Sequence, residues 1–429
     1  MYLVPAKVVP KKTEQQTIGF KGLNKMPVTE SGELTAMTNM SSKYSPCLYP
    51  RDSREVIETL TSGTALFPAN GKLCWVDGTS FYYDGVSKGT VTAGAKSIAE
   101  YFGTILIFPD AKYYNYVTNT FGTITTASAL GINYVCVHNN RAYGCGGNGF
   151  YASKQTDPLT WDDLPVPITI GCSWQTNTGE EGDFTGIIST QDSVFATKEG
   201  YLYKLYNDRP ANFLLKAIHK SGCIDFRSLV EVNGSLFMLG NEGIKRYSSG
   251  MPDIISLNFD ETYVSGSAGT DGRKYYISLY NGTVYNLYVY DTANGYFCRE
   301  DSLHVTDFAR IGDDLYVLAV NVIYKFNSGT EVVTWEFESE NFSEWSMNKK
   351  VNLSVKVMAE LEAGSSLSVY CSIDGGTYAL KNTTTTTGFR SYEIKIIPQR
   401  CHSFKIKLAG TGKVKVFGFG RDVILGSTV

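Results

Sequence analysis

The chain has 429 residues, enough for two or three domains that each bury a core. Its formal net charge of −3 at pH 7 gives no overall basic field that would hold nucleic acid non-specifically. Its apolar runs are shorter than the roughly 18 residues of a membrane helix, and the first residues lack the apolar stretch of a secretory signal. We therefore expect no membrane span and synthesis in a cytosol.

Composition favours strands over helices. The chain has 29 Tyr, 22 Phe and 42 Gly against 13 Pro, which is typical of many short strands joined by tight turns. Nine cysteines show no C-x-x-C spacing, and several lie inside apolar strand patterns, so we interpret them as buried thiols in a reducing compartment. The 4 histidines are scattered and support no zinc site.

The N-terminal region differs in composition from the rest of the chain. Residues 1–20 carry three lysines, two prolines and a polar Thr-Glu-Gln-Gln run, which is typical of an extended arm that is ordered only where it lies on something. Either this arm is disordered or it pairs with a neighbouring subunit. Residues 21–62 are dense in Gly, Ser, Asn and Pro, so we predict an ordered lead-in segment of turns that packs on the repeats after it.

Short hairpins recur over residues 63–333. Each is an apolar alternating run, a Gly, Asn or Asp turn and a second alternating run, as in residues 72–85, 192–206 and 313–326. A unit of this size cannot bury its apolar face alone and must stack on copies of itself. We therefore predict a β-propeller over 63–333 with about seven irregular blades. The units begin near residues 71, 101, 132, 183, 225, 262 and 304.

The pattern changes at residue 334. Five further stretches alternate between apolar and polar residues, often with lysine on the polar side, at 351–358, 366–373, 392–397, 403–408 and 413–419. Period-2 alternation is typical of strands with one buried face, and outward lysines discourage edge pairing. We predict a separate C-terminal β-sandwich over 334–429, which makes the fold class all-β: a β-propeller followed by a β-sandwich.

Two glycine motifs could indicate enzyme chemistry. Residues 144–149 match G-x-G-x-x-G, but a dinucleotide site needs a helix after the glycines, and strand-like sequence flanks this motif on both sides. Residues 85–89 match G-x-S-x-G, but a nucleophile elbow needs a strand before the serine and a helix after it. We interpret both motifs as turns between strands.

Paired acids and paired tyrosines are the remaining candidates. A glycosidase needs two carboxylates across a cleft, whereas adjacent strand residues point to opposite faces. The adjacent acid pairs are 162–163, 180–181 and 313–314. Tyrosine doublets could stack on sugars, but tyrosine also covers half-buried sheet surface. The doublets are 82–83, 113–114 and 275–276.

We assign no catalytic, cofactor-binding or metal-binding residue, expect no cofactor, and predict that the protein is not an enzyme.

Four short segments together resemble parts of bacteriophage tail proteins. They are Gly22-Leu-Asn24 with Gly32-Glu-Leu34, Asn39-Met-Ser-Ser and Leu48-Tyr-Pro-Arg51; the blade 140–153 with Asp157-Pro-Leu-Thr-Trp161; Trp335-Glu-Phe-Glu-Ser339 with Phe342; and Asp374-Gly-Gly-Thr-Tyr378 with Ile397-Pro-Gln-Arg-Cys401, 404–410 and Gly426-Ser427. The family they resemble is the propeller-type tail hub, nozzle or DNA-stabilisation protein.

This resemblance implies a virion structural protein, assembled in the bacterial cytoplasm. It implies a homo-oligomeric ring, sixfold, at the connector–nozzle end or the distal end of the tail. Such a ring docks other tail or connector proteins and holds a channel in which DNA is only passing cargo. The family has no catalytic residues to carry over. Removal of residues 1–20 should weaken the ring without unfolding the propeller.

Two other functions stay open. One is a carbohydrate- or receptor-binding propeller at the tail tip, which exposed aromatic side chains beside Asp or Asn on one propeller face would favour. The other is a glycoside hydrolase, which would need two carboxylates about 5–10 Å apart in a cleft.

Overall fold

The computed structural model describes residues 12–343 and 348–425. Among these residues nearly all regular structure is strand, and the helices are three short 3-10 turns, η1 (Pro210–Asn212), η2 (Phe226–Ser228) and η3 (Leu257–Phe259). The predicted all-β class is confirmed. The start of the predicted arm, residues 1–11, and the last four residues of the predicted sandwich lie outside the described residues.

Five short strands precede the repeats. They are β1 (Lys12–Ile18), β2 (Leu34–Thr38), β3 (Met40–Ser41), β4 (Tyr49–Pro50) and β5 (Arg54–Thr59).

The repeats form a β-propeller. In the described part of the chain, seven four-stranded antiparallel sheets follow one another, and the first six are each built from four consecutive strands. Such four-stranded sheets around one axis are the blades of a propeller. Blade 1 has β6 (Gly63–Ala69), β7 (Lys72–Asp77), β8 (Ser80–Tyr83) and β9 (Val86–Thr90); blade 2 has β10 (Ser97–Tyr101), β11 (Thr104–Phe108), β12 (Lys112–Asn115) and β13 (Thr120–Thr123); blade 3 has β14 (Tyr134–His138), β15 (Arg141–Gly146), β16 (Gly149–Ala152) and β17 (Trp174–Asn177).

The remaining blades follow the same plan. Blade 4 has β18 (Phe184–Ser189), β19 (Val194–Lys198), β20 (Leu202–Tyr206) and β21 (Leu214–His219); blade 5 has β22 (Val230–Val232), β23 (Ser235–Gly240), β24 (Gly243–Tyr247) and β25 (Asp253–Ile254); blade 6 has β26 (Ser265–Thr270), β27 (Lys274–Tyr280), β28 (Tyr285–Asp291) and β29 (Tyr296–Arg299); blade 7 begins with β30 (Val305–Ile311), β31 (Asp314–Ala319) and β32 (Val322–Phe326).

Blade 7 takes its fourth strand from the N-terminal side of the propeller. β5 pairs antiparallel with β32, from Val322 opposite Thr59 to Phe326 opposite Arg54. Residues 54–59, which we predicted to be part of a lead-in segment lying on the propeller, are therefore a strand within it. The physical reason is that β32 would otherwise leave an unpaired edge, and closure of this blade also ties the two ends of the propeller together.

Polar side chains join the innermost strand of one blade to the next. A side-chain oxygen bonds a backbone group of the neighbouring blade or its lead-in at several of these joints, for example where Asp307 Oδ2 accepts from Leu66 N at 2.9 Å, Ser97 Oγ accepts from Val135 N at 3.0 Å, Thr185 Oγ1 donates to Cys223 O at 2.6 Å and Asp225 Oδ2 accepts from Gly266 N at 3.3 Å. The Asp307 bond joins blade 7 to blade 1 and so closes the circle.

The C-terminal strands form two packed sheets. They are β33 (Thr334–Ser339), β34 (Lys350–Leu361), β35 (Ser366–Ile373), β36 (Ala379–Thr384), β37 (Gly388–Cys401), β38 (Phe404–Thr411) and β39 (Val414–Leu425). One sheet has the order β1-β39-β34-β37 and the other β2-β33-β38-β35-β36. Alternate residues of β34, β35 and β38 are buried for most of their length, as the period-2 pattern predicted, and they form the interior of a sandwich.

The N-terminal strands belong to this sandwich. β1 pairs with β39 over seven residues, from Lys12 opposite Ile424 to Ile18 opposite Gly418, and β2 pairs with β33. The prediction of an arm that is either disordered or bound to a neighbouring subunit is therefore wrong for residues 12–18. Their polar, β-compatible sequence suits an edge strand, and the partner strand lies about 400 residues away in the same chain.

Propeller and sandwich share one hydrophobic core. Side chains of blades 5 and 6, of residues 20–48 and of both sandwich sheets form a single buried cluster. Leu23 N bonds Phe297 O of blade 6 at 2.8 Å, and the Phe20 ring lies 5.9 Å from that of Phe419 in the sandwich. Between them, Gly22 has a φ of +83°, and a Cβ there would meet Phe297 O at 2.6 Å. The N-terminal segment thus fixes the sandwich to the propeller.

Candidate functional site

The glycine motifs lie where we expected turns. Residues 144–149 run from β15 into β16, whose strands pair from Tyr143 opposite Ala152 to Gly146 opposite Gly149. Residues 85–89 begin in the turn from β8 to β9 and continue along β9. Neither is followed by a helix, because strand pairing continues on both sides. The interpretation of both motifs as parts of hairpins is confirmed.

The tyrosine doublets pack within the fold. Tyr275 and Tyr276 are both buried, and Tyr82 stacks on Trp75 with ring centroids 5.6 Å apart. Tyr114 is also buried, and Tyr83 stacks on Tyr116 at 5.6 Å. These rings bury their faces against one another, so they act chiefly as packing groups.

In each of the three adjacent acid pairs, one carboxylate makes a local contact. Glu180 accepts a hydrogen bond from the Tyr203 hydroxyl at 2.9 Å, and Asp314 pairs with Lys325 at 2.7 Å. Asp163 pairs with Lys154 at 2.9 Å. Each of these carboxylates is therefore engaged in a local contact of its own blade.

Among the described residues, neither the cysteine thiols nor the potential metal ligands form a reactive centre. Eight of the nine cysteines are buried, and burial raises the pKa of Cys223 to about 11. A thiol with a raised pKa stays protonated at neutral pH and is a poor nucleophile. No group of three or more His, Cys, Asp or Glu side chains in 12–343 and 348–425 is placed to hold a metal ion.

No helix within residues 12–343 and 348–425 is long and apolar enough to cross a membrane.

The propeller axis carries a cavity of about 330 Å³. Every innermost strand contributes at least one residue to its lining, among them Leu66, Ile98, Val135, Ile187, Val230, Ala268 and Ala309. Arg227, in η2 between blades 4 and 5, donates from Nη2 to Thr64 O of blade 1 at 2.7 Å. The Arg227 side chain therefore crosses the channel.

Two carboxylates, those of Asp225 and Asp307, lie close to Arg227. Burial raises the pKa of Asp225 and of Asp307, while the charge of Arg227 opposes the rise. Both accept backbone N–H bonds, Asp225 from Arg227 N at 3.2 Å and Asp307 from Leu66 N at 2.9 Å. These bonds fix η2 and close the propeller, so the two acids have a structural role in this geometry.

A cavity of about 1040 Å³ lies beside β1 of the sandwich. Its wall includes Gln15 and Thr17 of β1, Glu33 and the buried Glu340. Burial raises the pKa of Glu340 to about 7, and the positive charge of Arg421 opposes that rise.

The buried Arg421 is held from several sides. Its Nη1 donates to Asn352 Oδ1 at 2.6 Å, its Nη2 donates to Gln15 Oε1, and its guanidinium carbon lies 4.3 Å from the centroid of the Phe342 ring. Burial lowers the pKa of Arg421 to about 9. This polar cluster ties β1 to the centre of the sandwich.

A protruding apolar loop on blade 3 was missed by the sequence reasoning. In residues 164–170, which we call the apolar loop, four apolar side chains are exposed: Leu164 by 45%, Val166 by 97%, Ile168 by 53% and Ile170 by 63%. The signal was present as Leu-Pro-Val-Pro-Ile-Thr-Ile, in which apolar residues occupy alternate positions. Exposed apolar segments of this kind commonly mark contacts with other molecules.

The base of the apolar loop is rigidly held. Ser173 N bonds Asp163 O at 2.8 Å, and Gln155 N bonds Gly171 O at 2.9 Å. Trp161 is buried in the core between blades 2 and 3, and the buried Arg141 donates to Cys172 O at 2.6 Å. The apolar loop therefore projects from a fixed neck.

A second apolar surface lies on the sandwich. β36 and β37 are each the last strand of their sheet, and we call their exposed side the sandwich edge. It presents Leu380, Phe389 and Ile397, the last 88% exposed. Asn352 pairs with Gln399 and Ser354 with Lys395, so residues 396–398 bulge out of β37. Bulges and basic residues are common on exposed edges.

One aromatic cluster on blade 6 is half-exposed. The Tyr285 ring lies 4.5 Å from Tyr280 and 3.7 Å from His304, both in stacked geometry. Burial, together with the charge of Arg227, lowers the pKa of His304. Asn281 follows Tyr280 in the turn, where its side chain accepts from Thr283 N at 3.1 Å.

No protein-family model and no curated protein matches the chain. Among solved structures, the chain is similar to PorZ, a bacterial surface component of the type-IX secretion system of Porphyromonas gingivalis, with 12% identity and a TM-score of 0.44 over 79% of this chain and 46% of that one. It is also similar to the extracellular domain of the putative one-component system BT4673 from B. thetaiotaomicron, with 10% identity and a TM-score of 0.44 over 85% of this chain and 59% of that one.

A third similar structure is the exo-beta-1,3-galactanase of Phanerochaete chrysosporium, with 10% identity and a TM-score of 0.27 over 77% of this chain and 97% of that one. The chain spans about half the length of the first two proteins. Likenesses at this level carry no argument about activity or partners, and the propeller stands on the sheet topology of the chain itself.

Proposed function

We propose that this chain is a non-enzymatic structural protein of a tailed-bacteriophage virion, which assembles in the bacterial cytoplasm into a homo-oligomeric ring of the tail. The ring, taken as sixfold, docks other tail or connector proteins and surrounds the path of the DNA. The four segments that resemble tail hub and nozzle proteins supply this assignment. The observation that carries it is the rigid fusion of propeller and sandwich through residues 20–48 and their shared core.

Rigid fusion supports a role as a building block. A ring closes only if every copy presents its two contact surfaces at a fixed angle, and a shared core holds that angle better than a linker would. The chain also offers two different apolar surfaces, the apolar loop on the propeller and the sandwich edge on the other module. Two unlike surfaces on one rigid body are what a head-to-tail ring needs.

The propeller channel is not a route for DNA in this proposal. Arg227 crosses it, and the cavity on its axis has a volume of only about 330 Å³. DNA would instead pass through the lumen between copies. The net charge of −3 suits a lumen along which phosphates slide without binding.

Light scattering on the purified full chain tests the proposal. A particle of about six times the mass of one chain is expected, and its mass should hold on dilution. A mass of one chain at every concentration, with or without a purified tail connector, would contradict the proposal.

Carbohydrate binding at the tail tip is a second candidate. It is favoured by the half-exposed stack of Tyr280, Tyr285 and His304 on blade 6, with Asn281 in the same turn. Aromatic faces next to an amide are suited to sugar rings. A glycan array with the wild-type chain and with Tyr285→Ala tests it, since the variant should lose any glycan that the wild type retains.

A further inference from the structure

The apolar loop and the sandwich edge carry opposite charges, and both expose apolar side chains. The segment 153–173, which contains the apolar loop, has three aspartates and one lysine, a formal charge of −2. The segment 379–401, which forms the sandwich edge, has two lysines, two arginines and one glutamate, a formal charge of +3. Both segments also expose apolar side chains. Opposite charges around apolar centres are typical of surfaces that recognise each other.

We propose that the apolar loop of one copy docks on the sandwich edge of a second copy, in a head-to-tail contact. Val166 and Ile168 would pack against Ile397, and Asp162 would face the basic residues of β37. This inference rests on the proposed ring function and names the contact through which the ring forms.

The loop is built to reach another molecule. Its neck is held by the buried Trp161 and by the bond from Ser173 N to Asp163 O at 2.8 Å, so the exposed residues project at little further cost in chain entropy. Its two prolines, Pro165 and Pro167, also restrict the loop before it binds. A preformed loop of this kind docks more tightly than a flexible one.

The sandwich edge is built to receive it. Residues 396–398 bulge out of β37 and place Ile397 at 88% exposure. Arg390, Lys395 and Arg400 are exposed on the same strand. In the described sheet β37 has a partner on one side only, namely β34. The exposed Ile397 thus lies between the basic residues Lys395 and Arg400 on an open strand.

Because the two surfaces differ, the contact is heterologous. Each copy uses its loop on one neighbour and its edge on the other, so the contacts either close into a ring or continue as a filament. The rigid joint between propeller and sandwich sets the rotation between neighbours and therefore decides which of the two forms.

Substitution of exposed residues tests the contact without disturbing the core. The loop variant is Val166→Lys with Ile168→Lys, which places positive charge against the basic edge, and the edge variant is Ile397→Asp, which places negative charge against the acidic loop. The matched control is Met251→Asp, at a position 80% exposed in blade 5 and outside both surfaces. Each variant should keep the wild-type melting temperature, while the loop and edge variants lose about tenfold or more in self-association, because each buries a charge that its partner surface does not pair. The control should assemble as the wild type does.

Disulfide trapping identifies the two surfaces directly. A copy with Ile168→Cys is mixed with a copy with Ile397→Cys under mild oxidation. This mixture should give a disulfide-linked two-chain species that a reductant cleaves. A mixture of Met251→Cys with Ile397→Cys should give much less of it. Background should be small, because eight of the nine native thiols are buried.

The outcomes separate this contact from the ring itself. A ring that survives both the loop and the edge variants overturns the contact and leaves the proposed function in place. A wild-type chain that neither assembles nor cross-links above the control overturns both. Cross-linking above the control supports the contact even if the free chain is monomeric by mass.

Discussion

Arg54 and Glu300 form a buried ion pair, with Nη2 and Oε2 2.6 Å apart and both side chains less than one-tenth exposed. Arg54 opens β5, the strand that completes blade 7, and Glu300 follows blade 6. Asp301 adds a second contact to the same guanidinium at 2.6 Å. Burial raises the pKa of Glu300, and the charges of Arg54 and Arg51 oppose that rise. The pair therefore anchors the closing strand against the neighbouring blade.

Arg54→Ala should destabilise the protein by roughly 3–5 kcal/mol, because it leaves the Glu300 carboxylate buried without its main partner. Chemical denaturation measures this loss. The control is Lys72→Ala, which breaks the exposed pair with Asp84 at 2.9 Å and should leave stability nearly unchanged. Equal losses for the two variants would show that Arg54 does not anchor the closing strand.

Asp307→Ala should cost about 1–3 kcal/mol, because Leu66 N of blade 1 loses its acceptor at the closure of the propeller. Hydrogen exchange should show faster exchange at the backbone amide of Leu66. Asp313→Ala is the control, since its carboxylate is exposed and its nearest cation, Arg310, is 3.9 Å away. Unchanged exchange at Leu66 in Asp307→Ala would contradict this role.

Glu340 should make stability depend on pH. Its pKa rises from 4.5 to about 7 in the folded chain because its carboxyl is buried. Between pH 4.5 and about 7 the folded state therefore keeps the proton on Glu340, whereas the unfolded state has lost it. The contribution of Glu340 to the free energy of unfolding falls as pH rises through this window. The expected fall is roughly 1–3 kcal/mol.

Glu340→Gln removes this titration. The difference in unfolding free energy between wild type and variant should change between about pH 4 and about pH 8, with the wild type losing stability relative to the variant at the higher value. A difference that stays constant over this range would show that Glu340 titrates normally.

Gln15 and Gln16 are neighbours on β1 with different surroundings. Gln15 Oε1 accepts from the buried Arg421, whereas Gln16 donates to the exposed Glu14 at 2.8 Å. Gln15→Ala should cost about 1–3 kcal/mol by leaving a buried guanidinium donor short of an acceptor, and Gln16→Ala should cost less than about 0.5 kcal/mol. Thermal unfolding of the two variants compares them. Similar melting temperatures would mean that β1 is not fixed through Arg421.

Much of the fold was predictable because hairpins are local. Alternation, Gly and Asn turns and strand length are properties of about 40 consecutive residues, so the blades and the sandwich strands could be recognised. Two predicted blade starts are late: residue 71 falls after the innermost strand of blade 1, Gly63–Ala69, and residue 101 is the last residue of the innermost strand of blade 2, Ser97–Tyr101. Gly63–Ala69 includes a glycine and a proline, which weaken its alternation.

The long-range pairings could not be predicted from local pattern. β5 pairs with β32 across more than 260 residues, and β1 pairs with β39 across about 400. Nothing in the sequence of residues 12–18 distinguishes a strand of the same chain from one that joins a neighbour. With β1 in the sandwich, removal of residues 1–20 should destabilise that domain itself, in addition to any effect on a ring.

The two proposed contact surfaces differ in how far they can be predicted from the sequence. The sandwich edge lies on strands that alternation predicted, but which strands are outermost depends on the sheet order. The apolar loop has an apolar residue at every second position, and the same pattern would describe a buried strand. Only the neck formed by Asp163 and Ser173 shows that these residues project from the fold.

Negative-stain class averages of the purified wild-type chain test the ring most directly. We expect closed rings with an open lumen, in which each copy shows a propeller joined at a constant angle to a sandwich. Single particles in every class, at concentrations where the loop and edge surfaces could meet, would contradict it.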